Sequence, residues 1–158
     1  NKVAPRERII AGLILANTAL KLFEKEVRSM KYYFSRTVTL SFEDAIEKVI
    51  AELKKEGFGV LTDIDVKQTL KMKLDVDFKK YRILGACNPP FAYKALQIED
   101  KIGTMLPCNV IVQEIDERKV EVAVIDPVAS MQAVANPGLK DIAEQVQGKL
   151  QKVIENIQ

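Results

Sequence analysis

Histidine and tryptophan are absent from this 158-residue chain, and cysteine occurs only twice. Histidine is the usual general base near neutral pH and the commonest metal ligand, so its absence removes whole classes of chemistry. Serine and cysteine triads built on histidine, His-based zinc sites and HExxH metalloproteases are excluded. The two cysteines, Cys87 and Cys108, are too few for a disulfide framework and do not form a CxxC pair. A reducing, cytoplasmic setting is therefore expected. No GxGxxG or Walker-type phosphate loop is present. Long hydrophobic runs are lacking too: Ile9 to Leu20 spans about a dozen residues and contains Asn17 and Thr18, short of the roughly 20 a membrane span needs. Excess charge of one sign is also missing, with 24 basic and 22 acidic residues mixed along the chain for a net +2. A nucleic-acid module would concentrate its basic residues, so neither nucleic acid nor membrane is an expected partner.

What is present suits one globular domain, with 47% apolar and 29% charged residues. Lys31 to Leu40 is rich in aromatic and β-branched residues and reads as a strand. Ser41-Phe42-Glu43-Asp44 then starts a helix, with Phe42, Ala45, Ile46, Val49, Ile50 and Leu53 at helical spacing and Gly57 at its C-cap. Phe58 to Ile64 predicts a second strand and Val66 to Leu74 a short helix with Lys67, Lys71 and Lys73 on its wet side. Lys80 to Cys87 carries apolar residues on both faces, as an interior strand does. Asn88 and Pro89 match N-cap and first-turn positions of a helix over 90–106. Glu99-Asp100 and Gly103 interrupt its periodicity and divide it into two short pieces. Cys108 to Ile115 and Lys119 to Ile125 form a hairpin through Asp116-Glu117-Arg118, and Asp126-Pro127 closes it. A short helix covers Val128 to Val134. The terminal helix carries one apolar stripe: Leu139, Ile142, Ala143, Val146, Leu150, Val153, Ile154 and Ile157.

This order predicts an α+β fold: a mostly antiparallel sheet of about five strands with helices packed on one face, plus an N-terminal extra helix. Residues 1–29 form a helical extension, and residues 30–158 the single α+β domain. The extension exposes Ile9, Ile10, Leu13, Ile14, Leu20 and Phe23, which need cover from water. A homo-oligomer, dimer or higher, assembled with the help of residues 5–27, is the expected arrangement.

Residues 30–158 resemble the domain of unknown function 302 family, a set of small prokaryotic proteins. The likeness lies in Leu84-Gly85-Ala86-Cys87-Asn88-Pro89-Pro90 with Ala92 and Ala95-Leu96. It continues in Ile102-Gly103, Leu106-Pro107-Cys108-Asn109-Val110 and Ile125-Asp126-Pro127. The resemblance implies a fold similar to that of the TATA-binding protein, without carrying DNA binding along. It implies no settled activity. Met30 stands where a family member would begin, so residues 1–29 are expected to be an appended segment.

The candidate site is the pair of Cys-Asn junctions at strand ends: Cys87, Asn88, Cys108 and Asn109. If the connection between the two strands is broken, both cysteines lie at the same end of the sheet. They could then hold a soft metal ion through two thiolates, which is the one cofactor the pattern suggests, or cycle between dithiol and disulfide. The functional expectation is a non-catalytic module binding a ligand, metal or partner in a groove near Cys87 and Cys108. The alternatives are a thiol-redox protein using the same pair, and a structural or oligomeric protein with both cysteines in the core. Asp63, Asp65 and Asp126 flank strand ends, where turn and cap duties are usual.

Overall fold

The computed structural model describes Ile10, Gly12, Asn17, Thr18 and residues 31–158. The chain divides into Asn1–Lys31 and Tyr32–Gln158. In the first part Ile10, Gly12, Asn17 and Thr18 are helical. The remainder of the 5–27 segment, and with it the expected oligomerising face, lies outside the described residues. Among the described residues no helix is long and apolar enough to cross a membrane.

The second part runs β1 (Tyr33–Val38), α1 (Phe42–Lys55), β2 (Gly59–Asp65), α2 (Val66–Leu74), β3 (Tyr81–Cys87), α3 (Pro89–Ile98), β4 (Cys108–Asp116), β5 (Lys119–Ile125), α4 (Pro127–Ser130) and α5 (Lys140–Asn156). A 3-10 turn over Asp100–Met105 follows α3, so the helical connection is broken where Glu99 and Asp100 interrupt the apolar pattern. The five strands form one sheet in the order β1-β5-β4-β3-β2. Every neighbouring pair is antiparallel, and β3 is interior, between β4 and β2. The result is an α+β fold, and a sheet with its main helices on one face is compatible with a TATA-binding-protein-like architecture.

Local chemistry accounts for the elements. The Ser41 hydroxyl accepts from the Asp44 amide at 3.0 Å, and Glu43 and Asp44 oppose Lys54 and Lys55 along the α1 dipole. At the other end Gly57 takes φ +86, which only glycine adopts freely. Its amide donates to Lys54 O at 3.1 Å and that of Phe58 to Leu53 O at 2.9 Å, a Schellman stop. The β4–β5 hairpin turns through Arg118 at φ 56. Helix α2 is capped by Asp65, whose carboxylate accepts from the Gln68 amide, and it buries no residue.

Strand alternation sets the core. Leu84 and Ala86 of β3, Val110 and Val112 of β4, and Val120, Val122 and Val124 of β5 are buried with α1 and α5. The eight apolar residues of the terminal stripe, Leu139 through Ile157, are all buried. Lys149 of α5 is partly buried, and its ammonium pairs with Glu56 at 3.5 Å, joining α5 to the end of α1.

Candidate functional site

Because β3 and β4 are antiparallel neighbours, the last residue of one and the first of the other lie at the same end of the sheet. Cys108 pairs in register with Ala86, one residue before Cys87. Both sulfur-bearing side chains line one small cavity of about 30 Å³, walled by Phe58, Phe91, Ala95, Leu106, Met131 and Val146 among others. That is room for about a water molecule or two and no organic ligand. Both cysteines are free thiols. Burial pushes the Cys108 thiol up to about 11, with the nearby Cys87 adding to the effect. Burial raises the Cys87 thiol as well. An apolar wall disfavours thiolate, the form that binds metals and attacks disulfides.

Asn88 lines the same cavity but does not act as expected. It occupies the N-cap position of α3, yet its side chain makes no cap hydrogen bond there. Instead its Nδ2 donates to Glu56 O at 3.2 Å, tying the start of α3 to the end of α1. Pro89 does take the first helical position, where its missing N–H costs nothing. The neighbouring glycines serve the same packing. A Cβ on Gly57 would lie 3.1 Å from Asn88 Nδ2, and one on Gly85 would overlap Thr62 Oγ1 and come within 2.7 Å of Pro107 Cγ. The Leu106–Pro107 bond is cis. Much of the Gly85-to-Pro90 motif is thus accounted for by close packing.

The donor set fits a metal poorly. Two thiols with apolar walls around them leave a soft ion under-coordinated. Among the described residues no group of three or more Asp, Glu, Cys or His side chains could hold an ion. Asp126 has the cap role expected of it: its Oδ1 accepts from the amides of Val128 and Ala129 and from Gln147 Nε2.

The fourth expected site residue, Asn109, does not join the other three. Successive residues of a strand point to opposite faces, so Cys108 turns into the core and Asn109 turns out the other side. There Asn109 lines a groove of about 370 Å³ on the sheet face opposite the helices, within the size range of small-molecule sites. Its other walls include Tyr32, Tyr33, Tyr81, Ile111, Gln113, Glu121 and Ala123. The sheet order creates this surface. Tyr81 pairs with Gln113, and Gln113 with Glu121, giving one cross-strand row. Ile83, Ile111 and Ala123 form the next row. Tyr33 enters from the edge strand opposite Ile125.

Side chains in the first row are joined. Gln113 Nε2 donates to Glu121 Oε2 at 2.5 Å, and Lys79 Nζ donates to Gln113 Oε1 at 2.6 Å. The rings of Tyr32 and Tyr33 meet edge to face, 5.0 Å between centroids. Burial raises the Tyr81 phenol above its ordinary value, and the neighbouring Tyr32 and Glu121 push the same way. The arrangement offers aromatic faces, phenol and amide groups, one carboxylate and an apolar floor. It holds no nucleophile set against a base, so it can bind but has no evident acyl- or phosphoryl-transfer chemistry. The signal for it was available as outward-facing Tyr33, Tyr81, Gln113 and Glu121 in separate strands, but nothing local in the sequence joins them.

Comparison with known proteins agrees with this architecture. A solved structure, the crystal structure of uncharacterized conserved protein DUF302 from Bacillus stearothermophilus, matches with a TM-score of 0.75 and 27% identity, covering 80% of this chain and 98% of that one. No curated protein matches the chain. The family model for the domain of unknown function DUF302 matches residues 34–157, from within β1 to just past the end of α5. With that match spanning most of its length, the chain belongs to the DUF302 family.

Proposed function

We propose that this domain is a non-catalytic module that binds a small ligand, and that the ligand sits in the open-face groove. The observation that supports this is the groove itself: about 370 Å³, lined by three tyrosines with Asn109, Gln113 and Glu121 over an apolar floor. Such sites combine apolar area for affinity with a few polar groups for orientation. The groove near Cys87 and Cys108 that the sequence suggested is, at about 30 Å³, too small for that role. A fragment screen on isotopically labelled protein tests the reading. Hits are expected to shift the amides of Ile111, Gln113, Glu121 and Ala123, and Tyr81→Ala should weaken them. Fragments that bind elsewhere, or none that reach these strands, would sink it.

A second reading is supported by the meeting of Cys87 and Cys108 in one cavity. There the pair would serve as a dithiol that cycles with its disulfide, with Asn88 bracing the strand end. The raised thiols oppose this role at neutral pH, because exchange proceeds through thiolate.

A further inference from the structure

Charge separates the possible occupants of the open-face groove. Among the described residues lining it, Glu121 is the one carboxylate, and none is a lysine or arginine. Gln113 Nε2 engages Oε2 of that carboxylate. Lys79 is held by Gln113 Oε1 and is not among the described residues lining the groove. An anionic ligand would meet repulsion here, and a neutral one would leave the carboxylate without a counter-charge. The aromatic walls point the same way, since the faces of tyrosine rings attract cations, most strongly where water is excluded. Burial, and after it the nearby Tyr32 and Glu121, raise the Tyr81 phenol, which places Tyr81 within electrostatic reach of that carboxylate.

We propose that the groove binds a small free organic cation, a quaternary or alkylated ammonium of about the size of choline, against the ring of Tyr81 with Glu121 as its counter-charge. This rests on the groove being the binding site, as proposed above. It adds the chemical class of the ligand. An alkylammonium suits the site better than a metal ion because it brings apolar surface to Ile111 and Ala123 while needing only one carboxylate.

The test titrates the full chain with choline and, separately, with 3,3-dimethyl-1-butanol, its neutral isostere, following amide shifts in β4 and β5. Choline should shift Gln113, Glu121 and Ala123 and bind at least about tenfold more tightly than the isostere, a difference of about 1.4 kcal/mol. Glu121→Gln should remove that preference, bringing choline down to the affinity of the isostere. Should that variant fail to fold, the ratio between the two probes on the native chain decides alone. Equal binding of both probes in the groove would overturn the cationic preference while leaving the groove as a ligand site. Fragments that bind the groove where choline does not would do the same. If neither fragments nor choline reach these strands, both proposals fail together.

Discussion

Cys108 illustrates how one side chain's surroundings decide its chemistry. A free thiol titrates near 8.5, and its reactivity follows the thiolate fraction. Burial in the cavity beneath the strand ends lifts Cys108 to about 11, so at pH 8 its thiolate is a minor species. Cys87 is raised by the same cause while remaining partly exposed. With both thiols raised, reactivity should appear at higher pH than for a free thiol and be suppressed below it. Titration of the folded protein at pH 8 with a disulfide reagent should therefore modify Cys87 slowly and Cys108 only on unfolding. Rapid reaction of both thiols in the native state would favour the redox reading. Asn88 makes a complementary point. Its N-cap position follows from the Asn-Pro pair, but its amide reaches Glu56 instead of its own helix, a choice that only the neighbouring end of α1 makes possible.

At the scale of elements, α5 rests on a single stripe, and Val146 lies near its middle, buried beside the cysteine cavity. Val146→Asp would place an unpaired carboxylate there, with no basic side chain among the cavity's lining residues. The expected cost is about 4 kcal/mol or more, a large share of the roughly 5–15 kcal/mol that holds a typical domain folded. A thermal melt that the substitution leaves unmoved would overturn the placement of α5. This stripe was legible in the sequence because a 3.6-residue period survives translation into structure almost unchanged. The break after Ile98 and the interior position of β3 were legible for similar reasons: one from interrupted periodicity, the other from apolar residues on both faces. Glu52 was not legible. It is buried on α1 between Leu53 and the apolar turns before it, and is kept ionised by hydrogen bonding to Lys55 at 2.7 Å, with Lys48 at 3.5 Å. The groove was least legible of all. Its walls come from β1, β3, β4 and β5, and only the order β1-β5-β4-β3-β2 brings Tyr33, Tyr81 and Glu121 to one face. Sequence spacing put Asn109 beside Cys108, whereas the pleat sends the two to opposite sides.

On the scale of the whole molecule, the described core lies within the second part of the chain. Its buried apolar residues run from Val38 to Ile157, and both main helices, α1 and α5, contribute to it, although Ile50 of the α1 stripe is exposed and Ile46 is only partly buried. The sheet's two edges are β1 and β2. Strand β2 is blunted by an irregular register between Val60 and Thr62 and by Asp63 and Asp65, both paired with Arg82. Bulges and charges of this kind discourage edge-to-edge pairing, although Leu61 and Ile64 remain exposed. Association through the leading segment is the arrangement expected from its apolar residues Ile9, Leu13, Ile14 and Leu20. A chain starting at Met30 should therefore fold by itself and melt in one cooperative step. Its mass by sedimentation or light scattering should be lower than that of the full chain counted in subunits. Failure of the shortened chain to fold would mean that the leading segment belongs to the core. A folded fragment with an unchanged subunit number would move the interface elsewhere, and the apolar side chains exposed along β2 would be the next surface to test, with Leu61→Lys as the substitution expected to disrupt it.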